Sequence, residues 1–142
     1  MIRILCALLI AAAAAVVAWR LMPSRPADMP PAVPEEAVAV EFQDADPSPV
    51  PAGSRRQLTV LIHNNLDRPI RIVGHNDLCT FSACLRGEKQ AETTVGPRAV
   101  FAYPIEMFAN QPGEVEIPFE MYFDAGVLLT RTAVYRGRVE PD

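Results

Sequence analysis

The sequence is poor in the residues that mark several common functions. Lys89 is the only lysine, and 17 acidic residues outnumber 13 basic ones to give a net charge of −4. Such a surface repels phosphate backbones and anionic lipid headgroups, so nucleic acid is not an expected partner. The sequence also lacks a glycine-rich phosphate cradle, a nucleophile elbow and a basic aromatic platform. We therefore expect neither enzymatic activity nor a cofactor.

The one long apolar run lies at the N terminus. Its 16 apolar residues, Ile4 to Trp19, continue through Leu21 and Met22. As a helix rising about 1.5 Å per residue, this stretch would just cross a bilayer, with Trp19 and Arg20 at the headgroups. We expect residues 1–22 to form a single transmembrane anchor. A cleaved signal peptide is the alternative, because small residues near Ala14 would suit a peptidase.

Proline dominates the next segment, where Pro23 to Gly53 holds 8 of the 14 prolines. Proline fixes φ and removes a backbone donor, which favours extended chain over helix. Residues 23–36 are therefore predicted to be a linker between the anchor and one domain, residues 37–142.

Strand patterns fill this predicted domain. In residues 114–123 a large apolar residue occupies every second position, against Glu114, Glu116, Pro118 and Glu120 on the other side, which predicts one buried and one solvent-facing side. Residues 57–63 and 69–74 repeat the pattern on either side of a turn and are predicted to pair as a hairpin. Pro104 predicts an edge position or a bulge for the strand over 99–107. Further strands are predicted over 37–43 and 127–139, the last antiparallel to its predecessor.

Five or six such strands with no helical periodicity favour an all-β fold, an immunoglobulin-like β-sandwich. The antibody pattern of Cys, Trp and Cys is absent. Cys79 and Cys84, separated by four residues, most simply form a local disulfide outside the cytoplasm. Positive charges flank the apolar run on both sides, so the cysteines decide the orientation. We expect a single-pass protein of the inner membrane whose domain lies on the periplasmic side.

Several segments resemble a family of bacterial membrane-anchored, immunoglobulin-like domains of unknown function, similar to ASH/hydin-type modules. They are the strand end Asn64-Asn65, the run Arg68 to Gly74, the pair Cys79 and Cys84, and the finish Gly137-Arg138-Val139. The resemblance covers about residues 37–140. Where family members have a Pro-Pro-Gly-like turn, this chain has Val95-Gly96-Pro97. The resemblance implies a fold and a location, and no enzymatic activity.

Two functions remain open from the sequence. The first is a non-enzymatic module, held at the membrane by its N-terminal helix, that contacts an unknown protein partner or supports the envelope; exposed sheet edges would permit strand addition. The alternative is copper or zinc binding by the loop that holds His75, Cys79 and Cys84, with His63 as a further ligand. A disulfide would compete directly with that metal.

Overall fold

Strands make up nearly all of the regular structure. The computed structural model describes residues 33–43, 48–88 and 93–142. Within these ranges the chain forms a short 3₁₀ turn, Glu35–Ala37, and ten strands. In chain order the strands are β1 (Val38–Gln43), β2 (Val50–Pro51), β3 (Arg55–Asn64), β4 (Ile70–His75), β5 (Leu78–Cys79), β6 (Ala83–Gly87), β7 (Thr93–Val95), β8 (Val100–Ala109), β9 (Gly113–Asp124) and β10 (Leu128–Glu140).

The described strands form two five-stranded sheets. Sheet A has the order β1-β3-β8-β6-β5, and sheet B has the order β2-β10-β9-β4-β7. All neighbours are antiparallel except β2 and β10. Buried and exposed residues alternate along the long strands, because successive side chains point to opposite faces. The predicted all-β, two-sheet sandwich is confirmed, as is the antiparallel pairing of the last two strands.

The centre of the core comes from β9. The alternate residues predicted to face the interior are each at most 3% exposed: Val115, Ile117, Phe119, Met121 and Phe123. Sheet A contributes buried residues from β3 and β8: Leu58, Val60, Ile62, Tyr103, Ile105 and Met107. Burial of these apolar side chains is the main source of stability.

The predicted hairpin of residues 57–63 and 69–74 is wrong. β3 pairs with β1 and β8, whereas β4 pairs with β7 and β9 in the other sheet. The chain between β3 and β4 crosses from one sheet to the other, and the side chain of Asn64 stabilises this crossover. Its Nδ2 donates to the carbonyl oxygens of Arg68 at 2.8 Å and Gly96 at 2.7 Å. Its Oδ1 accepts from the backbone N–H of Leu66 at 3.1 Å. The crossover lets the apolar faces of β3 and β4 lie on opposite sides of one core.

The prediction that Pro104 marks an edge or a bulge is also wrong, because β8 lies between β3 and β6 with an unbroken register. In an antiparallel ladder, the backbone groups of successive residues point to opposite neighbours. The backbone of Pro104 points toward β6, but at a level one residue beyond Gly87, the last residue of β6. Its missing N–H therefore breaks no ladder bond. Pro118 in β9 likewise faces a level beyond His75, where β4 ends.

The predicted anchor, residues 1–22, lies outside the described residues, and so do residues 23–32 of the predicted linker. Among residues 33–43, 48–88 and 93–142, no helix has the length and apolar character needed to span a bilayer.

Candidate functional site

Cys79 and Cys84 are joined by a disulfide, with the two Sγ atoms 2.10 Å apart. Cys79 ends β5 and Cys84 lies in β6, where the two are directly opposite each other in the hairpin. Leu78 lies beside them opposite Leu85. The bond therefore closes a turn at the rim of sheet A, where β5 is the outermost described strand.

Hydrogen bonds also fix the turn inside this disulfide. The backbone N–H of Thr80 donates to the carbonyl of Ala83 at 2.7 Å, and the N–H of Ala83 donates to Thr80 Oγ1 at 3.2 Å. The carbonyl of Ser82 accepts from the N–H of Asn110 at 2.7 Å, which ties the turn to the end of β8. Phe81, in the middle of the turn, is 81% exposed. The turn thus presents an aromatic side chain to solvent from a constrained backbone.

An aromatic ring between two arginines adjoins this turn. Phe108 lies directly opposite Cys84 on the outer face of sheet A, and Arg55 lies opposite Phe108 on its other side. The guanidinium of Arg55 lies 4.5 Å from the ring centroid, and that of Arg86 lies 5.0 Å from it. Both distances are within the range of a cation–π contact. Glu106 approaches Arg55 at 3.7 Å.

We call this region the hairpin-tip surface. It comprises two arginines, two aromatic residues and the disulfide: Arg55, Phe81, Arg86, Phe108 and Cys79–Cys84. Leu78 is not part of it, because its partner Leu85 is buried and the two share the inner face of sheet A. The surface combines apolar contact area with cationic groups, the combination that favours protein interfaces.

Charges on the outer face of sheet B are arranged differently. Arg136 pairs with Glu116 at 3.3 Å across β9 and β10, and Arg71 pairs with Asp124 at 3.0 Å. The backbone N–H of Gly126 and the guanidinium of Arg71 hold the pKa of Asp124 below its usual value. On sheet B each of these arginines has its own carboxylate, whereas Arg55 and Arg86 both neighbour Glu106.

His75 lies at the end of β4 in a network that joins the two sheets. Its Nδ1 is 3.0 Å from Tyr103 Oη, its Nε2 is 3.1 Å from Asp77 Oδ1, and its ring stacks on Phe119 at 5.5 Å. Tyr103 Oη also donates to the carbonyl of Glu88 at 2.7 Å. Burial raises the pKa of the Tyr103 phenol, and the charges of Asp77 and Glu88 raise it further. We interpret the network as a structural clamp, since Tyr103 is only 2% exposed.

His63 lies far from the cysteine loop. Its Nε2 is 2.9 Å from Glu41 Oε1 across β1 and β3. His63 lies opposite Val100, and Cys84 lies opposite Phe108, eight residues further along β8. At about 3.3 Å per residue this is roughly 26 Å along the strand. Among the described residues no three His, Cys, Asp or Glu side chains are placed to hold a metal ion. The geometry therefore does not assemble the four ligands of the metal hypothesis.

Sequence reasoning identified the disulfide but missed the rest of the hairpin-tip surface. Phe81 gives one usable signal, because it is an aromatic residue between small polar residues in a cysteine-bounded loop. Arg55, Arg86 and Phe108 lie in three different strands, and no local pattern relates them.

Comparison with known proteins identifies no family. No protein-family model matches the chain, and no curated protein matches it. Among solved structures, native α2-macroglobulin from Escherichia coli, spanning domain MG7 to the C terminus, matches 73% of this chain with a TM-score of 0.60 and 20% identity. This chain spans 16% of that one, about a sixth of its length. At this identity the likeness shows the fold alone, an immunoglobulin-like β-sandwich.

Two weaker likenesses cover most of both chains. The ASH/PapD-like domain 7 of human CEP192 matches 84% of this chain and 92% of its own, with a TM-score of 0.41 and 9% identity. The copper-bound PCuAC domain from PmoF2 matches 75% of this chain and 90% of its own, with a TM-score of 0.39 and 16% identity. At TM-scores this low, neither similarity supports a conclusion about the fold or the function of this chain.

Proposed function

We propose that this chain is a membrane-tethered, non-enzymatic module of the cell envelope that binds another protein or has a structural role there. The apolar residues 1–22 support a single-pass anchor in the inner membrane, and residues 23–36 support a spacer. The Cys79–Cys84 disulfide supports a periplasmic domain, because disulfides persist in oxidising compartments.

The interaction part of this proposal rests on the outer edge of β1, which has no ladder partner among the described strands. β10 nevertheless runs close to it, with the Phe42 and Tyr135 ring centroids 5.5 Å apart. β1 is the edge strand of sheet A, and β2 covers β10 of sheet B only at Val139 and Glu140. The carbonyl of Ala37 bonds to Asn65 on the β3 side, so the backbone groups of alternate residues in β1 point the other way. Val40 and Phe42 therefore direct N–H and C=O groups away from their sheet, where a partner strand could pair with them.

One end of this β1 edge is already bonded to a side chain of β10. The Nε of Arg131 donates to the carbonyl of Val38 at 2.7 Å, and its Nη1 donates to the carbonyl of Thr130 at 2.8 Å. Arg131 thus bridges β10 to β1. We infer that a partner strand would pair with the remaining part of β1, at Val40 and Phe42.

The substitution Val40→Pro tests strand addition. Proline removes the outward N–H of Val40 but no bond to β3, so the domain is expected to fold. A photo-cross-linking residue at the exposed Gln43 of the full chain, expressed in its own cells, would report a bound partner. We expect a cross-linked adduct with the native sequence and its loss with Val40→Pro.

Val40→Thr is the matched control, because it keeps the N–H and loses a similar apolar contact. The adduct should persist in this variant. An adduct of equal yield with Val40→Pro, or no adduct with the native sequence, would contradict strand addition at this edge.

The membrane placement has its own test. Protease added to spheroplasts should digest the domain, while the N-terminal fragment should resist alkaline carbonate extraction. Protection of the domain in intact spheroplasts would contradict the periplasmic orientation. Release of the whole chain by carbonate would contradict the anchor.

A further inference from the structure

We propose that the hairpin-tip surface docks an acidic protein segment that carries an apolar side chain next to its carboxylates. The inference rests on the proposed function, since it assigns a second contact surface to an interaction module. This surface extends across the outer face of sheet A from the start of β3 to the β5–β6 turn, and it does not include β1.

The exposed side chain of Phe81 supplies the apolar contact of this surface. A phenylalanine that is 81% exposed keeps most of its ring in water, and burying that ring against a partner is favourable. Aromatic anchors of this kind dominate the binding energy of many interfaces. The half-buried Phe108, directly opposite Cys84, adds apolar area on the outer face of sheet A next to the turn.

The turn that carries Phe81 is already ordered before any partner binds. The Cys79–Cys84 disulfide closes it, and the carbonyl of Ser82 accepts from the N–H groups of Asn110 at 2.7 Å and Gln111 at 3.3 Å. Binding therefore loses little backbone entropy, which makes a rigid aromatic an efficient contact. A turn with these constraints is better suited to presenting a contact residue to a partner than to serving as a flexible linker.

The two arginines beside Phe108 supply the charge of this surface. Both guanidinium groups lie over the Phe108 ring, and their N–H groups can bind a carboxylate in a bidentate manner. Glu106 is 3.7 Å from Arg55 and lies opposite Arg86 in the register. Two cations beside one anion give a local positive charge on a chain whose net charge is −4. The partner that complements this charge is acidic.

A protein segment fits these features better than a lipid surface or a second copy of this chain. Stable binding to anionic membranes takes several basic residues, commonly four or more, and this surface has two. On the acidic outer face of sheet B, Glu116 is already paired with Arg136. A second copy that docked through this face would have to break the Glu116–Arg136 pair and the Glu114–Arg138 pair, 3.8 Å, to supply carboxylates.

The experiment pans a phage-displayed library of random peptides against the full chain held in zwitterionic nanodiscs. We expect enrichment of peptides that combine aspartate or glutamate with an aromatic or large aliphatic residue. The affinity of the best peptide should fall roughly tenfold or more with Phe81→Ala. The double variant Arg55→Ala, Arg86→Ala should weaken it by a similar factor and reduce its salt dependence.

Two control variants match these changes elsewhere on the domain. Leu128 is an exposed apolar residue of sheet B, 70% exposed, so Leu128→Ala should leave peptide binding unchanged. The double variant Arg136→Ala, Arg138→Ala removes two sheet B arginines and should also leave it unchanged.

Several results would overturn the proposal. They are no enrichment, enrichment of peptides without acidic residues, and affinity that survives Phe81→Ala. Flotation with phosphatidylglycerol vesicles that depends on Phe81 would assign the surface to a membrane instead. Dimerisation in sedimentation velocity that depends on Phe81 would assign it to a second copy. If panning fails while the cross-link at Gln43 is retained, the interaction module stands and only this surface is lost.

Discussion

Substitution of Arg131 by alanine should destabilise the domain more than any other exposed charge change. Its guanidinium donates to the carbonyl oxygens of Val38 at 2.7 Å and Thr130 at 2.8 Å, with longer contacts to Glu35 at 3.1 Å and Pro34 at 3.4 Å. These bonds hold the 3₁₀ turn and the start of β1 against β10. Alanine leaves the carbonyls to water and separates the two sheets at this rim.

The size of the effect follows from these bonds. A hydrogen bond with a charged donor contributes roughly 1.5–3 kcal/mol net, and water at the open edge replaces part of that after substitution. We count the partly buried bond to Val38 fully and the exposed bonds in small part, which gives about 2 kcal/mol. For a domain of this size, such a loss lowers Tm by roughly 10 °C.

Urea denaturation of the full chain, followed by circular dichroism at a β-sheet wavelength, measures this loss. Arg136→Ala is the control, because that arginine makes only a surface ion pair, at 3.3 Å, with Glu116. Such pairs contribute about 0–1 kcal/mol. Arg131→Lys should fall between the two, since an ammonium cannot span both carbonyls. If Arg131→Ala costs no more than Arg136→Ala, the reasoning about the bridged rim is refuted.

Three further predictions follow from the core and the clamp. Asn64→Ala should lower the unfolding free energy by roughly 2–4 kcal/mol, because it removes the buried amide that bonds the crossover; a cost below that of a surface substitution would contradict this role. Gly87→Ala should destabilise the domain, since the new Cβ would lie 2.5 Å from His75 Nε2. Gly96→Ala should leave the stability nearly unchanged, because its nearest contact would be at 3.8 Å. Thermal melts in which Gly87→Ala is at least as stable as Gly96→Ala would argue against the clamp. The pKa of the Tyr103 phenol is raised, so the stability that this group contributes is complete below its ordinary pKa and is lost as pH rises through the raised value. Phenolate absorbance, measured against Tyr103→Phe, should therefore show that Tyr103 titrates above the ordinary range of tyrosine. A midpoint in the ordinary range would contradict this prediction.

The sequence by itself determined the six longest strands and the buried faces of the most regular ones, whereas β2, β5, β6 and β7 are too short to show a pattern. The apolar residue at every second position of residues 114–123 is enough to predict that Phe119 is buried and Glu116 is exposed, because successive side chains of a strand point to opposite faces. The disulfide was also predictable, since Cys79 and Cys84 are close enough in sequence for a short turn to join them.

Only the tertiary structure decided which strands are neighbours and what lies beside the disulfide. Alternation states that β3 and β4 each have one apolar face, but it does not state whether those faces share a sheet or oppose each other. Likewise, Arg131 reaches Val38 across 93 residues, and Phe108 meets Arg55 and Arg86 only because β8 lies between β3 and β6. Such contacts depend on how two whole faces fit together, and a local sequence pattern carries no information about a partner that distant.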